Sequence, residues 1–329
     1  MGRTTCPKRI IELDVLRGLA ILGVLVLHSH FASRFSKETL AVQDTMETLF
    51  DWALLAFFFI SGFLNDSSVP FLLAAKKKSA SLLVPFFVYN MVYSLIFLAA
   101  RPFGWINTDN VFSQALIIVE APFRSPGFQL YFLPYLFLIS MFVCSLDKLN
   151  NRHRGWAYIC TLLFVLAFYV SRGYPAASYG PALSNLPLYL TSYLAGVFTK
   201  PLWDKEWVRS RFIFVALGLL LGGLVVFRCR AVSLLAPPLI AATVRVVSSF
   251  HKPKLLGSMG EASGSIYLWH TPVMLPAITK LLAFCGIPSM LNYFGSIFLT
   301  IAICILLRKC VESFFATVMK APTPRYITL

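Results

Sequence analysis

Acidic side chains are scarce in this 329-residue chain: 14 Asp and Glu stand against 29 Lys and Arg, and only 13% of the residues are charged. Soluble domains carry about 25% charged residues, so the shortage excludes an ordinary soluble enzyme. The seven cysteines (Cys6, Cys144, Cys160, Cys229, Cys285, Cys304 and Cys310) are scattered, odd in number and without metal or redox spacing, which excludes a disulfide framework. The five histidines lack the His/Glu spacing of a zinc site, so no metal is expected. Long polar segments are missing too. With no loop above about 30 residues there is no room for an attached soluble domain, and residues 1–329 read as a single membrane domain. Internal repeats and low-complexity tracts are also absent, which weighs against a secondary transporter or flippase, the main competing function. A third class, a structural or sensory membrane protein, would use its buried charges for packing alone.

What is abundant is apolar: 58% of the chain is hydrophobic. The apolar residues form continuous runs near 10–31, 48–64, 80–100, 128–146, 155–171, 185–200, 210–227, 231–248, 262–284 and 290–311. Runs approaching ~20 residues are helical spans, and a barrel would show short alternating segments instead. The expected fold is therefore all-α, a polytopic bundle of about ten transmembrane helices. The basic start (Arg3, Lys8, Arg9) resembles a signal peptide, but Asp14 and Arg17 interrupt the apolar run and no small-residue cleavage site follows, so the helix is retained. With a cytoplasmic N-terminus, 20 of the 29 Lys and Arg fall on inner segments and 8 on outer ones, with Arg17 inside the first helix. That asymmetry puts both termini in the cytoplasm. Because the basic residues sit between apolar runs rather than on one soluble face, no nucleic acid is expected, and the obligate surroundings are membrane lipids.

The first run carries the chemistry. Arg17 at depth in a helix costs about 2.5–3.5 kcal/mol at the bilayer centre, and Asp14, three residues earlier, shares its face and can neutralise it. His28 lies eleven residues beyond Arg17, about 16 Å up the same face at 1.5 Å per residue. A lone intramembrane histidine is often a satisfied packing residue, but a neutral imidazole on the face of Arg17 also suits a general base; His30 points elsewhere, about 200° round the helix. His270 is the rival base, placed mid-run just before Thr271-Pro272, where a proline loosens the helix; its alternative role is a structural hydrogen bond to a neighbouring helix. Ser61-Gly62 is a small pair that lets helices approach closely, with Ser61 also a candidate donor to the cavity.

The string Leu13-Asp14-Val15-Leu16-Arg17-Gly18-Leu19-Ala20 and the Arg-x10-His spacing to His28 resemble the first helix of the acyltransferase-3 family of membrane acyltransferases. Phe57-Phe58-Phe59-Ile60-Ser61-Gly62-Phe63, with Lys76-Lys77-Lys78 and Pro85 after it, is similar to that family's second motif. Leu130-Tyr131-Phe132-Leu133 resembles its Leu-Trp-Phe-Leu segment with Tyr for Trp. Gly260 to His270 resembles its Gly-x-x-Ser-x-x-x-Tyr-x-x-His, and Glu312 stands where a Glu closes the last helix. The resemblance implies an O-acyltransferase that takes an acyl group, usually acetyl, from cytoplasmic acyl-CoA. Its acceptor would be a hydroxyl of a cell-surface carbohydrate or a lipid-linked glycan precursor. It implies a multi-pass protein of the bacterial inner membrane, like the family's short members, with acetyl-CoA as donor substrate and no permanently bound cofactor. In that reading His28 is the catalytic base, Arg17 held by Asp14 meets the acyl-CoA, and Ser61, Tyr131, His270 and Glu312 line the acceptor side or the cavity.

Overall fold

The computed structural model describes residues 10–29, 36–100, 129–149, 153, 155–161, 163, 185–203, 216, 233–250 and 253–318. Every regular element among them is helical. All of the run at 210–227 except residue 216, the segment 101–127, His30 and most of the run at 155–171 lie outside the described residues.

Helix α1, Ile11–His28, starts after an extended Ile10, with Glu12 and Asp14 in its first turn, where negative charge suits the helix dipole, and His28 in its last. Helix α2, Lys37–Phe50, is capped by Ser36, whose Oγ accepts from the Thr39 N–H at 3.3 Å. Asp51 and Trp52 keep right-handed helical angles, so α2 runs almost straight into α3, Ala53–Phe63. The sequence placed a span at 48–64 and gave no helix to α2, whose exposed face is polar.

Helix α4, Phe71–Lys78, passes through a π-helical turn at Ser79–Leu83 into α5, Val84–Ala100. Pro85 enters α5 without an N–H to offer the preceding turn, and the wider turn makes room for its ring. A short 3-10 turn, Gln129–Tyr131, leads into α6, Phe132–Asp147. Helices α7 (Leu186–Thr199), α8 (Ala236–Phe250), α9 (Lys254–Glu261) and α10 (Ser263–Trp269) follow. A second π-helical turn, His270–Met274, joins α10 to α11, Leu275–Phe284. Gly286, at φ 73°, reverses the chain into α12, Ser289–Val318. Its N–H donates to the Ala283 carbonyl and that of Ile287 to Leu282, both at 3.0 Å, a closure that needs glycine at the left-handed position.

Helix α1 is the central element, with Leu16, Ala20, Ile21 and Leu25 fully buried. It packs on α9 and α3, with α2, α8 and α10 completing its surroundings, while α7 backs α3. Two crossings are backbone-to-backbone. A Cβ on Gly18 would stand 2.1 Å from the Leu256 carbonyl oxygen, and one on Gly260 1.7 Å from that of Asp14, so α1 and α9 touch through glycines. Gly62 meets the Tyr193 carbonyl and Gly196 that of Phe59 in the same way, so α3 and α7 cross as closely. Ser192 Oγ reinforces that crossing by donating to the Leu55 carbonyl at 2.7 Å.

The outer surface is apolar: Leu72, Phe284, Leu291 and Phe298 are among its exposed residues, with Phe284 90% exposed. Among the described residues, two helical stretches are long and apolar enough to cross a membrane, Lys37–Phe63 and Ser289–Cys310. Several hydroxyls inside the bundle return to their own helices, as Thr279 does to Leu275 at 2.8 Å and Thr300 to Ser296 at 2.7 Å, which satisfies them in an apolar setting.

One end of the bundle is polar. Asp147 accepts from Asn65 Nδ2 at 2.7 Å and from the Tyr158 hydroxyl at 2.6 Å. Lys200 Nζ donates to the Asn65 carbonyl at 2.6 Å, and Lys148 Nζ to that of Val69 at 2.7 Å. Helix α4 starts from this end and carries Lys76, Lys77 and Lys78 in its last turn.

Candidate active site

The Asp14–Arg17 pair forms as its spacing requires. Arg17 Nη1 donates to Asp14 Oδ1 at 3.2 Å, with only 10% and 8% of the two side chains exposed. Helix α9 closes over this stretch of α1 through Gly18 and Gly260, which keeps the pair out of lipid and water. Arg308 of α12 donates to the Glu261 carbonyl at the end of α9, adding a second cation to the same region.

At the other end of α1 the two candidate bases come together. The ring centres of His28 and His270 are 5.4 Å apart, tilted by 31°. The sequence treated them as rivals for one role; the fold makes them neighbours. Two features bring this about. Helix α10 packs against α1, and the chain breaks directly after His270: Thr271 is extended at φ −132°, ψ 153°. Proline after Thr271 dictates that conformation, because its ring clashes with a helical residue before it.

The His270 side chain adds to the hydrogen bonding of the last turn, where the His270 backbone N–H already donates to the Ile266 carbonyl. His270 is fully buried, and its Nδ1 lies 2.8 Å from the Tyr267 carbonyl and 3.0 Å from that of Ile266. Carbonyl oxygens only accept, so Nδ1 carries the proton and donates to both. The tautomer of a neutral His270 is thereby fixed, and Nε2 holds a bare lone pair. Nε2 has no hydrogen-bond partner among the described residues, and neither does the buried Thr271 hydroxyl beside it.

From the pair an aromatic chain runs inward. Tyr267 stands 5.8 Å from His270, Phe132 5.5 Å from Tyr267, Phe58 4.9 Å from Phe132, and Tyr189 stacks on Phe58 at 4.6 Å. Tyr131, buried, belongs to this wall through its hydroxyl contact with Tyr189 and its edge-on packing against Tyr135 at 6.0 Å. On the other flank Trp269 meets Tyr89 edge-on at 5.3 Å. Below the histidines, Ser29 follows His28 and is approached by the Tyr293 hydroxyl of α12.

The remaining candidates lie apart. Ser61 is half-buried on α3 with no hydrogen bond to the histidine pair among the described residues, while Gly62 beside it makes the close crossing with α7. Glu312 sits on the later turns of α12, and its side chain lies outside the described residues. Sequence reasoning gave no role to Tyr267, Tyr89 or Thr271. Only the Tyr of the Tyr-x-x-His spacing carried a signal, since three residues put its carbonyl under the imidazole.

A sequence model describing an acyltransferase domain matches residues 10–309, from the start of α1 through most of α12. No curated protein and no solved structure matches significantly. The match takes in the buried Asp14–Arg17 pair, the adjoining histidines and the apolar exterior of a membrane protein. On that extent of agreement, the chain belongs to the acyltransferase-3 family of membrane acyltransferases.

Proposed function

We propose that the protein moves an acetyl group from cytoplasmic acetyl-CoA to a hydroxyl of a cell-surface carbohydrate or its lipid-linked precursor. It does so from a bacterial inner membrane, which it crosses about ten times with both termini in the cytoplasm. The observation that carries this reading is the His28–His270 pair, at the far end of the helix that buries Arg17. A sugar hydroxyl is far too weak an acid to ionise at neutral pH, so O-acyl transfer needs a positioned base within reach of it. His28 is that base. The hydroxyl gives its proton to the imidazole as its oxygen bonds to the thioester carbonyl carbon. The carbon–sulfur bond then breaks, and CoA leaves as the thiol with that proton.

Arg17, held by Asp14, meets the donor from the cytoplasmic side, where a planar fork suits phosphate or carbonyl oxygen. Lys76, Lys77 and Lys78 add positive charge at that mouth. The aromatic wall of Tyr131 and Tyr267 offers faces of the kind that sugar rings pack on. Ser61 and Glu312 remain candidate cavity residues. The test is mass spectrometry of the surface glycan from cells with and without the gene. An acetyl-sized mass loss in the deletion strain, restored by wild-type protein, is the expected result. An unchanged glycan together with altered uptake of a small anion or glycan would replace the enzyme with a transporter.

A further inference from the structure

His270 is built to accept. Its Nδ1–H is committed to two backbone carbonyls, its ring is wholly buried, and its Nε2 has no hydrogen-bond partner among the described residues. Burying an acceptor unmatched costs about 1–3 kcal/mol, which is tolerable where a donor arrives during function. The imidazole of His28 is 5.4 Å away, ring centre to ring centre. Catalytic contacts that are long in the free enzyme tighten in the reacting complex, directly or through one water.

Resting on the acyl-transfer reading above, we infer that His270 is the positioning residue for His28: its Nε2 accepts a hydrogen bond from His28 once His28 has taken the acceptor's proton. Neutral His28 has one N–H. When the hydroxyl O–H bond breaks and the proton moves to His28, the ring becomes an imidazolium with two. The second N–H is donated to Nε2 of His270 while the acceptor oxygen bonds to the thioester carbon. As the carbon–sulfur bond breaks, the sulfur takes the proton from His28 and both rings return to neutral. The hydrogen bond exists at full strength only while His28 is charged, so it favours the transition state over the ground state. Just before the break at Thr271, Nδ1–H is an added donor on the last carbonyls of α10, and that commitment locks the tautomer.

The two nitrogens of His270 can be separated by substitution. His270→Asn keeps an amide N–H near the position of Nδ1 and deletes Nε2; His270→Gln places an amide oxygen near Nε2. The expected result for Asn is a kcat lower by about 10²-fold with KM for acetyl-CoA and acceptor unchanged, and a partial return of kcat in Gln. In a His28→Ala background, His270→Asn should cause no further loss, because the residue acts through His28. A near-normal kcat in His270→Asn, a rise in KM alone, or a multiplicative loss in the double variant would each overturn the inference. Nitrogen-15 NMR of histidine-labelled wild-type protein in detergent checks the same point without any variant. The expected signal is a neutral His270 protonated at Nδ1, and protonation at Nε2 in an active enzyme overturns the inference while acyl transfer stands. Wild-type protein that transfers no acetyl group removes the function as well, whatever the tautomer.

Discussion

Gly260 and Gly257 lie one turn apart on α9 and meet opposite surroundings. A Cβ at Gly260 would stand 1.7 Å from the Asp14 carbonyl oxygen, whereas one at Gly257 meets nothing within 4 Å. Ordinary contact begins at 3.4 Å, so Gly260→Ala must open the α1–α9 crossing by about as much as the present gap. Backbone, not a flexible side-chain tip, is what has to move. Overpacking of this kind typically costs about 1–3 kcal/mol, occasionally more. The Asp14–Arg17 pair lies at this crossing, so its 3.2 Å geometry should be disturbed together with stability. Gly257→Ala, by contrast, replaces a helical glycine without a clash and should gain up to about 1 kcal/mol from helix propensity. The assay is thermal unfolding in detergent for both variants, paired with acetyl transfer. Gly260→Ala should unfold earlier and lose activity while Gly257→Ala holds both. If the two alanines behaved alike, the backbone contact between α1 and α9 would be refuted.

Arg17→Lys and Arg17→Ala should both raise the apparent KM for acetyl-CoA, because lysine keeps the charge but not the planar fork; unchanged affinity in both removes Arg17 from the donor site. A cysteine at Lys77 should stay unlabelled by an impermeant reagent in intact cells and react after lysis, given the basic asymmetry; labelling from outside inverts the topology. Asp147→Asn replaces a carboxylate that Asn65 and Tyr158 both donate to, and should lower stability by about 1–3 kcal/mol in a thermal melt while leaving KM unchanged. A melt indistinguishable from wild type would remove that network from the fold's support.

Much of the site was legible because it is local. The spacings of three residues from Asp14 to Arg17 and eleven from Arg17 to His28 set a shared helix face, and the Thr271-Pro272 step announces a broken helix wherever it stands. The pairing of His28 with His270 was not legible, since it depends on α10 packing against α1, a contact between distant parts of the chain that no periodicity encodes. The tautomer of His270 was hidden because it follows from the side-chain rotamer, which turns Nδ1 back onto two carbonyls of its own last turn. Helix α2 escaped because Glu38, Asp44 and Glu47 dilute its apolar residues, and hydropathy alone registers the α3 half of that long element. Gly62 and Gly196 show a further limit, since a small residue permits close approach but does not say which helix will come.

The central claim is that His28 is the base of an acetyl transfer, and the most direct test is the turnover of purified His28→Ala with acetyl-CoA and a glycan acceptor. Thermal melting and membrane insertion are checked on the same preparation. Loss of a general base costs ~10²–10⁴ in rate, more than a change of packing at a half-buried position should. The account predicts a folded, inserted protein whose transfer falls by that factor. A folded His28→Ala protein with near-normal turnover would contradict it.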